Sequence, residues 1–192
     1  MKLRVTQYGE PILREKGQPV QSFDPEIAEL ADDMVETMYA ADGIGLAAQQ
    51  VGRAIQLCVV DVNVDEGPPA FRYALDGKTP PLDLIMPLAL INPRVEPLPD
   101  PREDYEEGCL SFPDIRGIIN RPAAVRVDYH DTAGSPHTLT ADGLLARVIQ
   151  HEVDHLNGVL FIDRMTPAER KKVDAAVKQL KRQTRDRLKA NR

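Results

Sequence analysis

The chain is short of cysteine and histidine and has no long apolar run, and each shortage closes off a class of protein. Two cysteines, Cys58 and Cys109, in 192 residues cannot staple a fold. A disulfide scaffold is excluded, and both are expected to be thiols in a reducing compartment. No stretch approaches the roughly 18 apolar residues of a membrane span. The opening "MKLRVTQYGE" lacks the apolar core of a secretion signal. It also lacks the Arg/Ser-rich, acid-poor character of a transit peptide, so the expected location is the cytoplasm. No internal repeat or low-complexity tract is found. What remains, 42% hydrophobic and 28% charged residues, is ordinary for a globular chain long enough to bury its own core as one domain.

The net charge of −6 is unevenly spread. Residues 164–192 hold eleven Lys/Arg and three Asp/Glu, or +8, leaving −14 for the rest. Such a basic tail is either a solvated helix face or a contact for a polyanion such as RNA.

Helix and strand signals alternate along the chain. Asp24 and Pro25 are a cap and first-turn pair, and Ile27, Leu30, Met34 and Met38 follow at helical spacing up to Gly43. "GIGLAAQQVG" is too rich in glycine for regular helix and too apolar for an exposed loop. "IQLCVVDV", "LALINPRV" and "AAVRVDYHD" read as strands, the last alternating Val125, Val127 and Tyr129 with polar residues. Nine of the sixteen prolines fall between Asn63 and Pro101, which predicts a loop region. "TADGLLARVIQHEVDHLNG" reads as a helix capped by Thr140 or Asp142 and ended by a left-handed Gly158. A last helix is expected over much of 167–189, with Val173, Ala176, Val177 and Leu180 as its seam.

Chemistry enters with "HEVDH", residues 151–155. At about 100° per residue His151 and His155 share one face of the helix, so both imidazoles can reach one cation. Glu152 can hydrogen-bond water on that cation and take its proton. The pair is expected on the edge between a buried side (Leu145, Ile149, Val153, Leu156, Val159) and a wetter side (Ala146, Arg147, Gln150, Asp154, Asn157). Many metallohydrolases share this spacing, and the third ligand separates them. One protease class continues to a third histidine, but here that position is Phe161. Another uses a downstream carboxylate, for which Glu169 and Asp174 are candidates. Upstream stands Cys109. Cys58 reads as strand core, and His130 and His137 are assigned no role.

Three motifs in order, "GIGLAAQQ" (43–50), "EGCLS" (107–111) and "QHEVDH" (150–155), together with the opening "YGEPILR", make the chain resemble a peptide deformylase over most of its length. The resemblance implies hydrolytic removal of the N-formyl group from the N-terminal formylmethionine of nascent polypeptides, by attack of a metal-bound water or hydroxide. Carried over residue by residue, it implies Cys109, His151 and His155 as ligands of one divalent ion. That ion is ferrous iron in the cell, with zinc, nickel or cobalt as substitutes. Glu152 becomes the general base and acid, and Gln50 with the Leu110 N–H the oxyanion donors. Ile44, Gly45, Glu107 and Gly108 are expected to contact substrate, as are Arg116, Arg147 and Val148. Arg147 stands where several family members carry an apolar residue. Its stem is expected to line the methionine pocket while its guanidinium reaches water. The proline-rich segment 64–101 is longer than the compact bacterial pattern.

The expected fold is α+β, a single domain of mixed or antiparallel sheets around the central H-E-x-x-H helix, with N-terminal and C-terminal helices. Residues 1–165 form the catalytic part. Residues 166–192 form a basic helix, within the same domain or appended, for which the resemblance implies ribosome contact. A monomer is expected, with no DNA or membrane partner. Two alternatives stand at this point: an H-E-x-x-H zinc endopeptidase, and a non-catalytic metal-binding module at the ribosome.

Overall fold

The computed structural model describes residues 1–62, 70–99 and 101–190. The elements run α1 (Pro25–Ala40), β1 (Gly45–Ala47), β2 (Leu57–Val60), β3 (Tyr73–Leu75), β4 (Leu88–Pro97), β5 (Arg102–Cys109) and β6 (Phe112–Pro122). They continue with β7 (Ala124–His130), β8 (Pro136–Asp142), α2 (Gly143–Leu156), the four-residue α3 (Phe161–Arg164) and α4 (Pro167–Ala190). An antiparallel six-stranded sheet has the order β1-β2-β4-β7-β8-β3, and β5 pairs with β6 as a separate hairpin. The α+β expectation holds. No helix among the described residues is long and apolar enough to cross a membrane.

Strand β2 shows how the layers form. All four residues are fully buried, because alternate side chains point to opposite faces. Leu57 and Val59 join Met34, Met38 and Ile91 under α1, while Cys58 and Val60 join Leu90, Val127, Leu145 and Ile149 under α2. Cys58 is therefore plain core, as its strand setting implies. Truncating a fully buried side chain such as Met34 should cost about 2–5 kcal/mol.

Asp24 caps α1 by accepting from the Ile27 N–H, and Gly158 ends α2 in the left-handed region at φ 70°. At the end of α1 the left-handed residue is Asp42 (φ 54°), not Gly43. Asp142 occupies the cap position of α2, but its carboxylate is engaged by Arg72 instead of the helix. The proline-rich stretch differs from a plain loop: β3 forms at its centre and edges the sheet on β8. Residues 63–69 and 100 of that stretch lie outside the described residues.

A third cluster joins the hairpin to the C-terminal helices: Phe112, Ile119, Phe161 and Val177 are buried together, with Val173 and Leu180 packed against them. The α4 seam runs on to buried Thr184, whereas Ala176 is exposed, one place off the expected stripe.

Candidate metal centre and catalytic cleft

Helix α2 carries the histidines between the sheet and the β5–β6 hairpin. Part of the side expected to be wetter is covered by that hairpin, so Arg147 and Asp154 are buried, while Ala146 joins the core against the sheet. Gln150 donates to the Pro122 carbonyl at 3.0 Å, tying helix to hairpin. The hairpin turn after β5 brings Cys109 to the histidines: its Sγ lies 3.3 Å from His155 Nε2. Ligand atoms of Cys109, His151 and His155 all lie within 4.8 Å of one another.

This donor set suits a divalent ion. Three protein ligands of thiolate and imidazole type leave a coordination position open, which marks a catalytic site. The His151 ring is set for it, because its Nδ1 lies 2.9 Å from Glu107 Oε2, which leaves Nε2 for a cation. His155 is pushed to a low pKa by burial and by neighbouring His151, which keeps it in the neutral, ligating form. His151 is pushed down by burial, but hydrogen bonds to Cys109 and Glu107 more than offset this and raise it.

Beside the ligands, burial raises the Glu152 carboxyl to about 7, with Glu107 and Asp154 adding to the shift and His151 and Arg121 opposing it. Its Oε2 is buried and finds no hydrogen-bond partner among the described residues. A carboxyl so placed is poised to exchange a proton near neutral pH. Gln50 is fixed from both ends: Oε1 accepts from the Ala47 N–H at 2.8 Å, and Nε2 points to Ser111 Oγ (3.3 Å) and Cys109 Sγ (3.5 Å).

The expected site residues converge on one cleft of about 800 Å³, all but the deeply buried His155 lining it. Ile44 and Gly45 form one wall from β1, Glu107, Gly108, Leu110 and Arg116 the facing wall from the hairpin, and Arg147 and Val148 the α2 side. Gly45 is required sterically. A Cβ there would run into the Glu152 carboxylate and lie 2.8 Å from Val148 Cγ1. Arg116 stands at the rim, 69% exposed.

One expectation changes. The Arg147 guanidinium does not reach water. It donates to Glu107 Oε1 (3.1 Å) and to the Ile119 and Glu103 carbonyls (3.0 and 2.8 Å), and lies over the Tyr105 ring. A buried guanidinium must find partners, and the hairpin supplies them. Glu107, which also lines the cleft, has its carboxylate engaged by His151, Arg121 and Arg147. Burial pushes its carboxyl up, yet His151 and Arg121 bring it down to about 2. The candidate downstream ligands Glu169 and Asp174 pair with Lys172 and Lys178 on α4 and take no part.

Sequence reasoning missed Arg121, Asp154 and Ser111. Arg121 had a signal: it follows Ile115, Gly117 and Ile119 on the buried phase of β6, where a charge needs a partner.

The family model for polypeptide deformylase matches residues 2–171. The chain is 55% identical to a peptide deformylase of Opitutus terrae, over 100% of this chain and 99% of the relative. Among solved structures, a Synechococcus elongatus peptide deformylase in complex with actinonin is 41% identical, with a TM-score of 0.76, covering 91% of this chain and 85% of that one. A plant peptide deformylase is 34% identical at a TM-score of 0.82, covering 96% and 92%. With its cleft, its Cys/His/His cluster and these relatives in agreement, the chain belongs to the polypeptide deformylase family, metal-dependent hydrolases that remove the N-formyl group from nascent peptides.

Proposed function

We propose that Cys109, His151 and His155 hold one divalent ion, ferrous iron in the cell, and that Glu152 moves the proton in deformylation of formylmethionyl peptides. The observation that carries this reading is the buried, unpartnered Glu152 Oε2 beside the Cys/His/His cluster. A divalent ion there supplies Lewis acidity, acidifying water and polarising the formyl oxygen. Glu152 accepts a proton from the attacking water as its oxygen bonds to the formyl carbon. The same carboxyl returns a proton to the amine nitrogen as the C–N bond breaks, releasing formate and a free N-terminus. Gln50 Nε2 and the Leu110 N–H donate to the oxygen on which negative charge develops, each worth roughly 3–4 kcal/mol by analogy with other such donors.

Ile44, Gly45 and Gly108 offer main-chain edges to the substrate backbone, and Val148 with the Arg147 stem takes the methionine side chain. Arg116 meets the following residues at the rim. Glu107 acts on His151 and not on substrate. The helix α4 belongs to the same folding unit, because Val177 and Thr184 are buried, while its basic outer face contacts the ribosome. The protein works as a monomer in the cytoplasm.

The test is formate release from a formyl-Met tripeptide by anaerobically prepared, metal-loaded protein. Glu152→Gln should retain metal and lose about 10²–10⁴ in rate. Near wild-type turnover in that variant would refute the assignment of the base.

A further inference from the structure

The His151 ring is oriented by more than its direct neighbour. Arg164, half-exposed at the end of α3, donates twice to Asp154: Nη2 to Oδ1 at 2.5 Å and Nε to Oδ2 at 3.1 Å. Asp154 Oδ2 also accepts from Arg121 Nη1 at 2.7 Å. Arg121, only 4% exposed, turns its other two nitrogens to Glu107, Nε at 2.7 Å and Nη2 at 3.0 Å. Glu107 Oε2 then meets His151 Nδ1 at 2.9 Å. Charges alternate along this line, and its members come from α3, α2 and the β5–β6 hairpin.

We propose that Arg164 is a positioning residue for the metal centre, setting the His151 ring through Asp154, Arg121 and Glu107. The reason is competition for one guanidinium. Arg121 is divided between two carboxylates, and Arg164 satisfies the one farther from the metal ligand. Without Arg164, Asp154 Oδ1 loses its 2.5 Å partner and Asp154 draws Arg121 toward itself. The bidentate hold on Glu107 then slackens, and with it the carboxylate that keeps Nδ1 of His151 engaged and Nε2 turned to the ion. The inference rests on the reading of Cys109, His151 and His155 as ligands.

The experiment follows the escape of Co²⁺ from the loaded full-length protein into excess chelator, alongside the thermal midpoint of the metal-free protein. Removing a hydrogen-bond partner behind a ligand typically costs about 10–100-fold in metal affinity. For Arg164→Met, further out, release should quicken about tenfold, at the low end of that range. The metal-free midpoint should move by only a few degrees, because Arg164 is half-exposed and buried Asp154 keeps Arg121 as its counter-ion. Arg164→Lys should release at an intermediate rate, since an ammonium keeps the charge but cannot make both bonds. Wild-type release from Arg164→Met would overturn the proposal. So would equal acceleration in both variants that merely tracks a lowered midpoint. Should Arg164→Met fold poorly, Arg164→Lys decides alone: faster release at an unchanged midpoint supports the proposal, and an unchanged rate ends it. Wild-type protein that takes up no Co²⁺ would remove the ligand assignment and this inference together.

Discussion

Among the described residues, two clefts that have histidines at their walls invite comparison, and they are built differently. The catalytic cleft, about 800 Å³, has His151 with a carboxylate on one ring nitrogen only. The second, about 950 Å³, is lined by His130 and His137 on β7 and β8. His137 Nδ1 lies 2.7 Å from Asp76, and its Nε2 lies 3.3 Å from Asp131. One carboxylate orients an imidazole and leaves a lone pair free, whereas two carboxylates use the ring up. The helix also matters, since α2 turns two imidazoles toward one point, with centroids 5.1 Å apart. Among the described residues, the Cys109, His151 and His155 group stands as the candidate metal site. A cavity of similar size lined by histidines is not thereby a site.

The strongest way to sharpen this contrast is Glu107→Gln. It removes the orienting charge from His151 and leaves buried Arg121 and Arg147 short of a counter-ion. Metal affinity should weaken about 10–100-fold. Stability should fall by about 3–5 kcal/mol, as when one partner of a buried pair is removed. Metal titration and denaturant melts of the metal-free protein check both, and an unchanged affinity would show that His151 needs no such partner.

At the second cleft the expected effects are small. Freeing a His137 nitrogen with Asp131→Asn should create no metal uptake, because among the described residues no group of three potential ligand side chains stands there. One Co²⁺ bound per chain beyond the wild-type content would break the comparison.

The weakest effect is pH-dependent stability. The His137 pKa is raised, chiefly by Asp76 and further by Asp131, against a lowering from burial. A raised folded-state pKa means that this stabilisation is complete below the unfolded value near 6.5. It fades as pH rises through the folded value. Replacing His137 with Gln should cost no more than about 1 kcal/mol, more at pH 5 than at pH 8, with formate release unchanged. A deficit that grows toward pH 8 would reverse the assignment of the charged ring.

How much of this was legible depends on whether a residue's fate is local. The Asp24 cap, the left-handed Gly158 and the alternation of β7 were readable because each depends on neighbours within a turn or two. Strands β5, β6 and β8 carry no readable strand pattern: β5, "REDYEEGC", has five charged residues among its eight, and its first five residues are exposed. Its burial falls almost wholly at Glu107, which no hydrophobic pattern reports. The α2 face carrying Arg147 and Asp154 reads as wet, because periodicity ranks a helix's sides by polarity and cannot say what covers them.

The amino-acid sequence by itself named the candidate ligands and the candidate base. Two histidines four residues apart on a helix share a face whatever surrounds them, and the three ordered motifs carried the family with its cysteine and glutamine. Tertiary structure alone decided what those groups face. Glu107, Arg121, Asp154 and Arg164 lie as much as 57 residues apart, and only packing of α2 between sheet and hairpin joins them. Burial pushes both carboxyls up, but His151 and Arg121 bring Glu107 down to about 2, while Glu152 is left at about 7. Charge, hydration and proton affinity are properties of the assembled site, and chain-local spacing does not carry them.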